Sequence, residues 1–263
     1  MEQVNAIVLR AAGINCDMET EHALKSAGAD ACCLHINRII EDPQVLDEYQ
    51  ILVFPGGFSY GDDVAAGKIL ANQIVHHLSG TIRKFIDDGK VVLGICNGFQ
   101  VLVKAGILPG FDEGLSASEN PVSIVDNDSG KFEDRWVHLE PAGDRCIFIT
   151  PGRRIYLPIA HGEGKVVTKD VETLKKLKSQ RHPAFRYVDA NGNQGPFPVN
   201  PNGSIDSIAG LTDSTGRVLG LMPHPERFVH RTQHPHWTRL KDIDEPDGMT
   251  IFNNAVKYIK DKG

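Results

Sequence analysis

Apolar positions along the chain fall into short blocks rather than a continuous helical or alternating pattern. Blocks at residues 6–9, 31–34, 51–54 and 91–95 are each bounded by turn formers. Blocks this short and unbroken fit strands buried on both faces. Helix-like stretches lie between them. Residues 17–26 open with acidic side chains and end at Gly28, residues 64–88 run to Gly89 with a break at Ser79-Gly80, and residues 98–105 close at Gly106 ahead of Pro109. Strands and helices in alternation predict an α/β fold with a central, mostly parallel sheet flanked by helices. Crossovers are expected to be right-handed, and ligands to bind beyond the carboxyl ends of the strands.

The pattern loosens after residue 120. Extra short strands are predicted at 121–125, 135–139, 146–149, 154–160 and 165–168, and a basic helix at 172–180. A loop over 189–204, a hairpin pairing 205–211 with 217–222, and a last helix at 248–259 complete the reading. No repeat or low-complexity linker divides the 263 residues, so residues 1–263 are expected to form one domain. A chain this long can bury a core without disulfides or metals.

Composition narrows the class. Apolar residues make up 41% and charged residues 24% of the chain, as in globular domains and unlike disordered or membrane proteins. No apolar stretch reaches the ~18 residues of a spanning helix. The N-terminal block has no basic flank and reads as a first strand rather than an export signal. A net charge of −6 disfavours nucleic acid or an anionic membrane as partner. The five cysteines are odd in number and include no C-x-x-C pair. A reduced, cytoplasmic setting is expected, with neither zinc ribbon nor thioredoxin motif.

One cysteine stands apart. Gly94-Ile95-Cys96-Asn97-Gly98 leads from a buried strand directly into a helix, the layout of a nucleophile elbow with cysteine in place of serine. The tight turn lifts the side chain above the sheet, the glycines remove Cβ atoms that would clash, and the helix N-terminus favours a thiolate. A free cysteine is more often a small core residue, and that reading is kept for Cys16, Cys32, Cys33 and Cys146. A thiolate nucleophile needs a base, and the base an orienting group. His224-Pro225-Glu226 and His161-Gly162-Glu163 both offer such a pair at a strand end. Prolines on both sides stiffen His224, and alternation along an extended segment would bring Glu226 to the same side. That favours the first pair, while both remain candidates.

Gly56-Gly57 follows the third strand, where backbone N–H groups can approach a ligand. The N–H groups of Gly57 and Asn97 form a candidate oxyanion hole. Residues 61–68 have the wrong glycine spacing for a phosphate loop, with Ile69 where Ser or Thr would bind magnesium. No nucleotide site is expected. His230, His234 and His236 lie near one another without thiolates, a weak metal candidate, so no metal is expected. Lys175, Lys176 and Lys178 fit the solvated face of a helix.

The stretches GICNGFQ (94–100), PGGFSYGD (55–62) and PHPER (223–227) together resemble the class I, or triad, glutamine amidotransferases. IAHGEG (159–164), NPNGS (200–204) and LGLMPHPER (219–227) are similar to the glutaminase subunits and domains of phosphoribosylformylglycinamidine synthases. The resemblance runs from Ala6 to the last helix. It implies a flavodoxin-like class I amidotransferase fold, a triad of Cys96, His224 and Glu226, an oxyanion hole around Gly57 and Asn97, and a glutamine site near Gln100 and His161. It implies hydrolysis of glutamine through a γ-glutamyl thioester and delivery of ammonia to a formylglycinamidine synthetase partner in purine biosynthesis. ATP and magnesium are expected on that partner, and no cofactor in this chain. A small third subunit is a further candidate partner. Against it stand residues 169–203 and 230–248, which are more like the glutaminase domain of the large fused enzyme than the compact separate subunit. Two other classes are carried alongside. One is a cysteine hydrolase or peptidase of the DJ-1-like α/β type, which the late His224-Pro225-Glu226 fits poorly. The other is a non-catalytic binding module.

Overall fold

The four apolar blocks form strands β1 (Asn5–Arg10), β2 (Asp30–His35), β3 (Ile51–Phe54) and β4 (Val91–Ile95). Every residue of β3 and β4 is buried, and each large apolar side chain there contributes about 1.5–3 kcal/mol through burial. The computed structural model describes residues 3–62, 64–111, 120–239 and 245–262; part of the 230–248 tail thus lies outside the described residues. β11 (Val218–Leu221) pairs in parallel with β4, giving the series β2-β1-β3-β4-β11. The same sheet continues antiparallel through β10 (Ile208–Thr212), β9 (Pro183–Val188), β6 (Glu133–Pro141) and β7 (Ile155–His161), making nine strands. β5 (Val122–Asp126) and β8 (Glu163–Thr168) form a separate antiparallel pair.

The helices are α1 (Asp17–Ser26), α2 (Ile36–Glu41), α3 (Lys68–Gln73), α4 (Ser79–Asp87), α5 (Asn97–Lys104), α6 (Val171–Ser179) and α7 (Asp247–Lys260). In α5 only Lys104 escapes full burial, so this helix is wedged between the sheet and its neighbours. No helix among the described residues is long and apolar enough to cross a membrane.

Several segments differ from the sequence expectation, among them the unanticipated α2 and residues 205–207, a 3-10 turn rather than the start of a strand. The helix expected over 64–88 starts at Lys68, after Gly67 at φ 71°, and a π turn at Ile74–Leu78 separates α3 from α4. The strand expected at 146–149 is a turn. Cys146, Phe148 and Ile149 are nevertheless buried, and Ile147 N–H donates to Gly216 O at 3.0 Å, so this apolar run plugs the core beneath the β10–β11 hairpin. β9 was not anticipated. Pro183 opens it, a position where the missing N–H is tolerated, and Arg186 is stabilised by Asp206 at 2.6 Å.

β7 is the far edge in sheet order, yet the antiparallel half curls back towards β11. His224 N–H donates to Pro158 O at 2.8 Å. β7 therefore lies over the carboxyl ends of β4 and β11. Gly57, Cys96 and His224 follow β3, β4 and β11 into one corner.

Candidate active site

Cys96 stands between β4 and α5 with φ 50° and ψ −106°. Positive φ in a non-glycine residue is a strained conformation. It is fixed by Cys96 N–H donating to Leu221 O at 2.8 Å and by Gln100 N–H donating to Cys96 O at 3.1 Å. The flanking glycines permit the corner. A Cβ on Gly94 would lie 2.5 Å from Leu102 Cδ1, and one on Gly98 only 1.8 Å from Phe54 O. Cys96 is 5% exposed, and its thiol lies 3.8 Å from Ala160 O of β7.

β11 and β4 run in register, Leu221 opposite Ile95, so the segments after them are neighbours. His224 is followed by a single 3-10 turn, Pro225–Arg227, rather than the extended segment expected. The turn still brings Glu226 Oε1 to 2.6 Å from His224 Nδ1. A carboxylate accepts, so Nδ1 carries the proton. Nε2 is the remaining ring nitrogen, buried and without a hydrogen-bond partner. Burial alone would push this imidazole down, but the Glu226 carboxylate, then Cys96 and Cys16, oppose it and hold His224 well above an ordinary histidine.

The other H-x-E pair is built differently. Glu163 bonds Lys104 Nζ at 2.6 Å and not an imidazole. His161 Nδ1 lies 3.0 Å from Asn127 Oδ1, and Asn127 Nδ2 donates to Lys131 O and His161 O at 2.9 and 2.8 Å. Those two donations orient the amide, so its Oδ1 accepts and His161 carries its proton on Nδ1. Nε2 of His161 is then a bare acceptor, buried without a partner. Burial, with a smaller push from His224, lowers His161 to about 3, so it is neutral at ordinary pH.

A connected network surrounds the corner. Gly57, at φ 137°, bridges to Ile14, and a Cβ there would lie 2.7 Å from Asn15 N. The flanking bond from Phe58 N–H to Gly13 O, 2.9 Å, turns the N–H of Gly57 away from Ile14. Asn97 opens α5. Its amide donates to Gln100 Oε1 at 3.0 Å and Asp62 Oδ1 at 3.3 Å, and accepts from Ser59 N–H at 3.3 Å. Gln100 Nε2 donates to Glu163 O at 2.5 Å. Gln100 thus braces Asn97 against the loop after His161.

Cys16, read from sequence as core, belongs to this corner. It accepts a hydrogen bond from Arg227 Nη2 at 3.1 Å and is, with His224 and Glu226, the only trio of metal-ligand type within 4.8 Å among the described residues. Its signal in the sequence was position: it lies just past β1, where strand-end chemistry is expected. His230, His234 and His236 form no such trio. His234 instead packs on Trp136, Tyr156 and Phe228, and His230 pairs with His22.

A cysteine corner, a buried imidazole–carboxylate pair and two glycine-lined strand ends thus lie together at one end of the sheet. Residues 3–259 match the CobB/CobQ-like glutamine amidotransferase domain, and the chain belongs to that family. Within it, the chain is 44% identical over 262 residues to phosphoribosylformylglycinamidine synthase subunit PurQ of Dehalococcoides mccartyi, covering 99% of each. It is 40% identical over 266 residues to the subunit of the same name from Methanococcus maripaludis, covering 96% of each. Among solved structures, a chain of PurLQS from Thermotoga maritima superposes with a TM-score of 0.73 and 31% identity, over 98% of this chain and 100% of that one. The chain is thus as long as relatives named as subunits, a point the comparison with fused enzymes did not anticipate.

Proposed function

We propose that Cys96, His224 and Glu226 are the nucleophile, base and orienting carboxylate of a glutaminase. The observation that carries this is the left-handed Cys96 at the β4–α5 corner beside the buried His224–Glu226 pair, bonded at 2.6 Å. The Cys96 thiolate attacks the side-chain amide carbon of glutamine. The N–H groups of Gly57 and Asn97 take the negative oxygen of the tetrahedral intermediate, an interaction worth ~3–4 kcal/mol per donor. His224 protonates the departing ammonia through Nε2. It then draws a proton from the water that hydrolyses the γ-glutamyl thioester to glutamate. Glu226 holds Nδ1–H and stabilises the imidazolium. Gln100 keeps Asn97 in place, and His161 offers its bare Nε2 to an N–H of the substrate. Residues 1–263 act as one amidotransferase domain, a reading supported by the single nine-stranded sheet that contributes every strand end of the site.

The chain is the glutaminase component of phosphoribosylformylglycinamidine synthase. Its ammonia passes to a synthetase subunit that converts formylglycinamide ribonucleotide to the amidine in purine biosynthesis. The likeness to PurLQS supports an assembly of several subunits, a small third one among them. ATP and magnesium serve the synthetase, and this chain carries neither. Five free cysteines and a place in purine synthesis support a cytoplasmic setting. Family membership decides against the DJ-1-like peptidase alternative. The test is ammonia release from glutamine, measured with and without the synthetase. The parent is expected to release ammonia, faster in the complex, and Cys96→Ala none. Unchanged turnover in Cys96→Ala would refute the assignment.

A further inference from the structure

Cys16 is a second thiol against the base, and the chemistry above leaves it without a task. It caps α1 and is 1% exposed. A Cβ on Gly56 would lie 2.8 Å from His224 Cε1 and 3.1 Å from Cys16 Sγ, so ring and sulfur share the space that this glycine leaves. Arg227 donates to the sulfur at 3.1 Å and is held on its other side by Glu19 at 3.0 Å. Cysteine, histidine and glutamate are a donor set that metals use. Here, however, a guanidinium stands against the sulfur and the His224–Glu226 bond occupies the other two groups, so the trio is not a cation site. Glu226 Oε2 is buried without a hydrogen-bond partner. It is an acceptor open to any nearby cation, and Arg227 is close enough to respond to the Glu226 charge.

We propose that Cys16 is a positioning residue for His224: its thiol takes up the Arg227 hydrogen bond, keeping that cation off Glu226 and leaving the carboxylate to the imidazole. This rests on His224 being the base, as proposed above. Burial holds the thiol up at about 11, so Cys16 stays neutral where the enzyme works. The groups that act on His224 are Glu226, Cys96, Cys16, which meets the imidazole directly, and His161, while Arg227 acts on Cys16. Without the thiol, Arg227 pairs with Glu226, and His224 binds its proton less tightly.

The test is ammonia release by the full chain with its synthetase between about pH 6 and 9, for Cys16→Ala, Cys16→Ser and the double variant Cys16→Ala/Arg227→Gln. Cys16→Ala is expected to lower kcat about ten-fold with KM nearly unchanged, and to move the limb of the pH profile that reports His224 to lower pH. Serine accepts the same hydrogen bond and restores both. Removing the cation in the double variant returns the limb to its place. Cys16→Val fills the space without the hydrogen bond, gives the same shift as alanine, and serves where alanine prevents folding. The proposal is overturned if Cys16→Ala matches the parent in kcat and profile. It is equally overturned if alanine and serine lose activity alike with the limb unmoved. Turnover retained in Cys96→Ala or His224→Asn would instead refute the site assignment itself.

Discussion

At Cys96 a non-glycine residue holds φ 50°, a conformation that costs about 1–3 kcal/mol. Glycine would relieve it. Cys96→Gly is therefore expected to melt a few degrees above Cys96→Ala, with neither variant releasing ammonia; a thermal scan in which alanine melts higher would contradict the strain. His161 gives a pH-dependent prediction. Its folded value of about 3 lies below the ordinary 6.5. As pH falls from neutral, the unfolded chain gains a proton that the folded chain refuses, so stability drops through this window, by up to ~1.4 kcal/mol per pH unit. His224, held high, contributes with the opposite sign in parent and variant alike and cancels in the comparison. Urea unfolding at neutral pH and near pH 5 should show His161→Asn losing less stability than the parent by about 2 kcal/mol. Equal losses would mean that His161 is not a buried neutral imidazole. Cys96 was legible in the sequence because its signal is local, two glycines and a strand-to-helix junction. Cys16 was not, because its partners His224 and Arg227 come from the other end of the chain.

Among the elements, α5 and β3 touch through a gap that only glycine allows. The Cβ of Gly98→Ala would lie 1.8 Å from Phe54 O, and neither backbone can yield without moving Cys96. The variant is expected to lose about 3 kcal/mol or more and nearly all turnover. Near-parental urea midpoint and activity would show that α5 is not wedged as described. The strands of the parallel half were readable because each carries an unbroken apolar block. The errors have physical causes. Residues 146–149 are apolar and buried as a strand would be, and length and hydropathy do not separate a buried turn from a strand. β9 begins with Pro183 and carries Arg186, features that argue against a central strand until Asp206 is seen to pair with the arginine. The π turn at Ile74–Leu78 left only the Ser79-Gly80 break as its trace.

Across the whole molecule, the strand order joins a parallel half that carries Gly57, Cys96 and His224 at its strand ends to an antiparallel half that curls over them. The α/β class and the strand-end location of the site followed from the sequence. The curl did not, since it depends on β7, the last strand in sheet order, meeting the turn after β11 through Pro158 and His224. Between His161 and Lys104, the Glu163 network ties the roof to α5 and to the loop after β3. The same network reaches Asn97 through Gln100. Glutaminase turnover is expected to rise when the synthetase is added, and equal rates would remove the case for coupling. The central claim is most directly tested by treating the chain with a diazoketone analogue of glutamine and mapping adducts by peptide mass spectrometry. A single adduct on Cys96, suppressed by glutamine, is the outcome expected here. Adducts on Cys16, Cys32, Cys33 or Cys146 instead, or a Cys96 that stays unmodified, would contradict it.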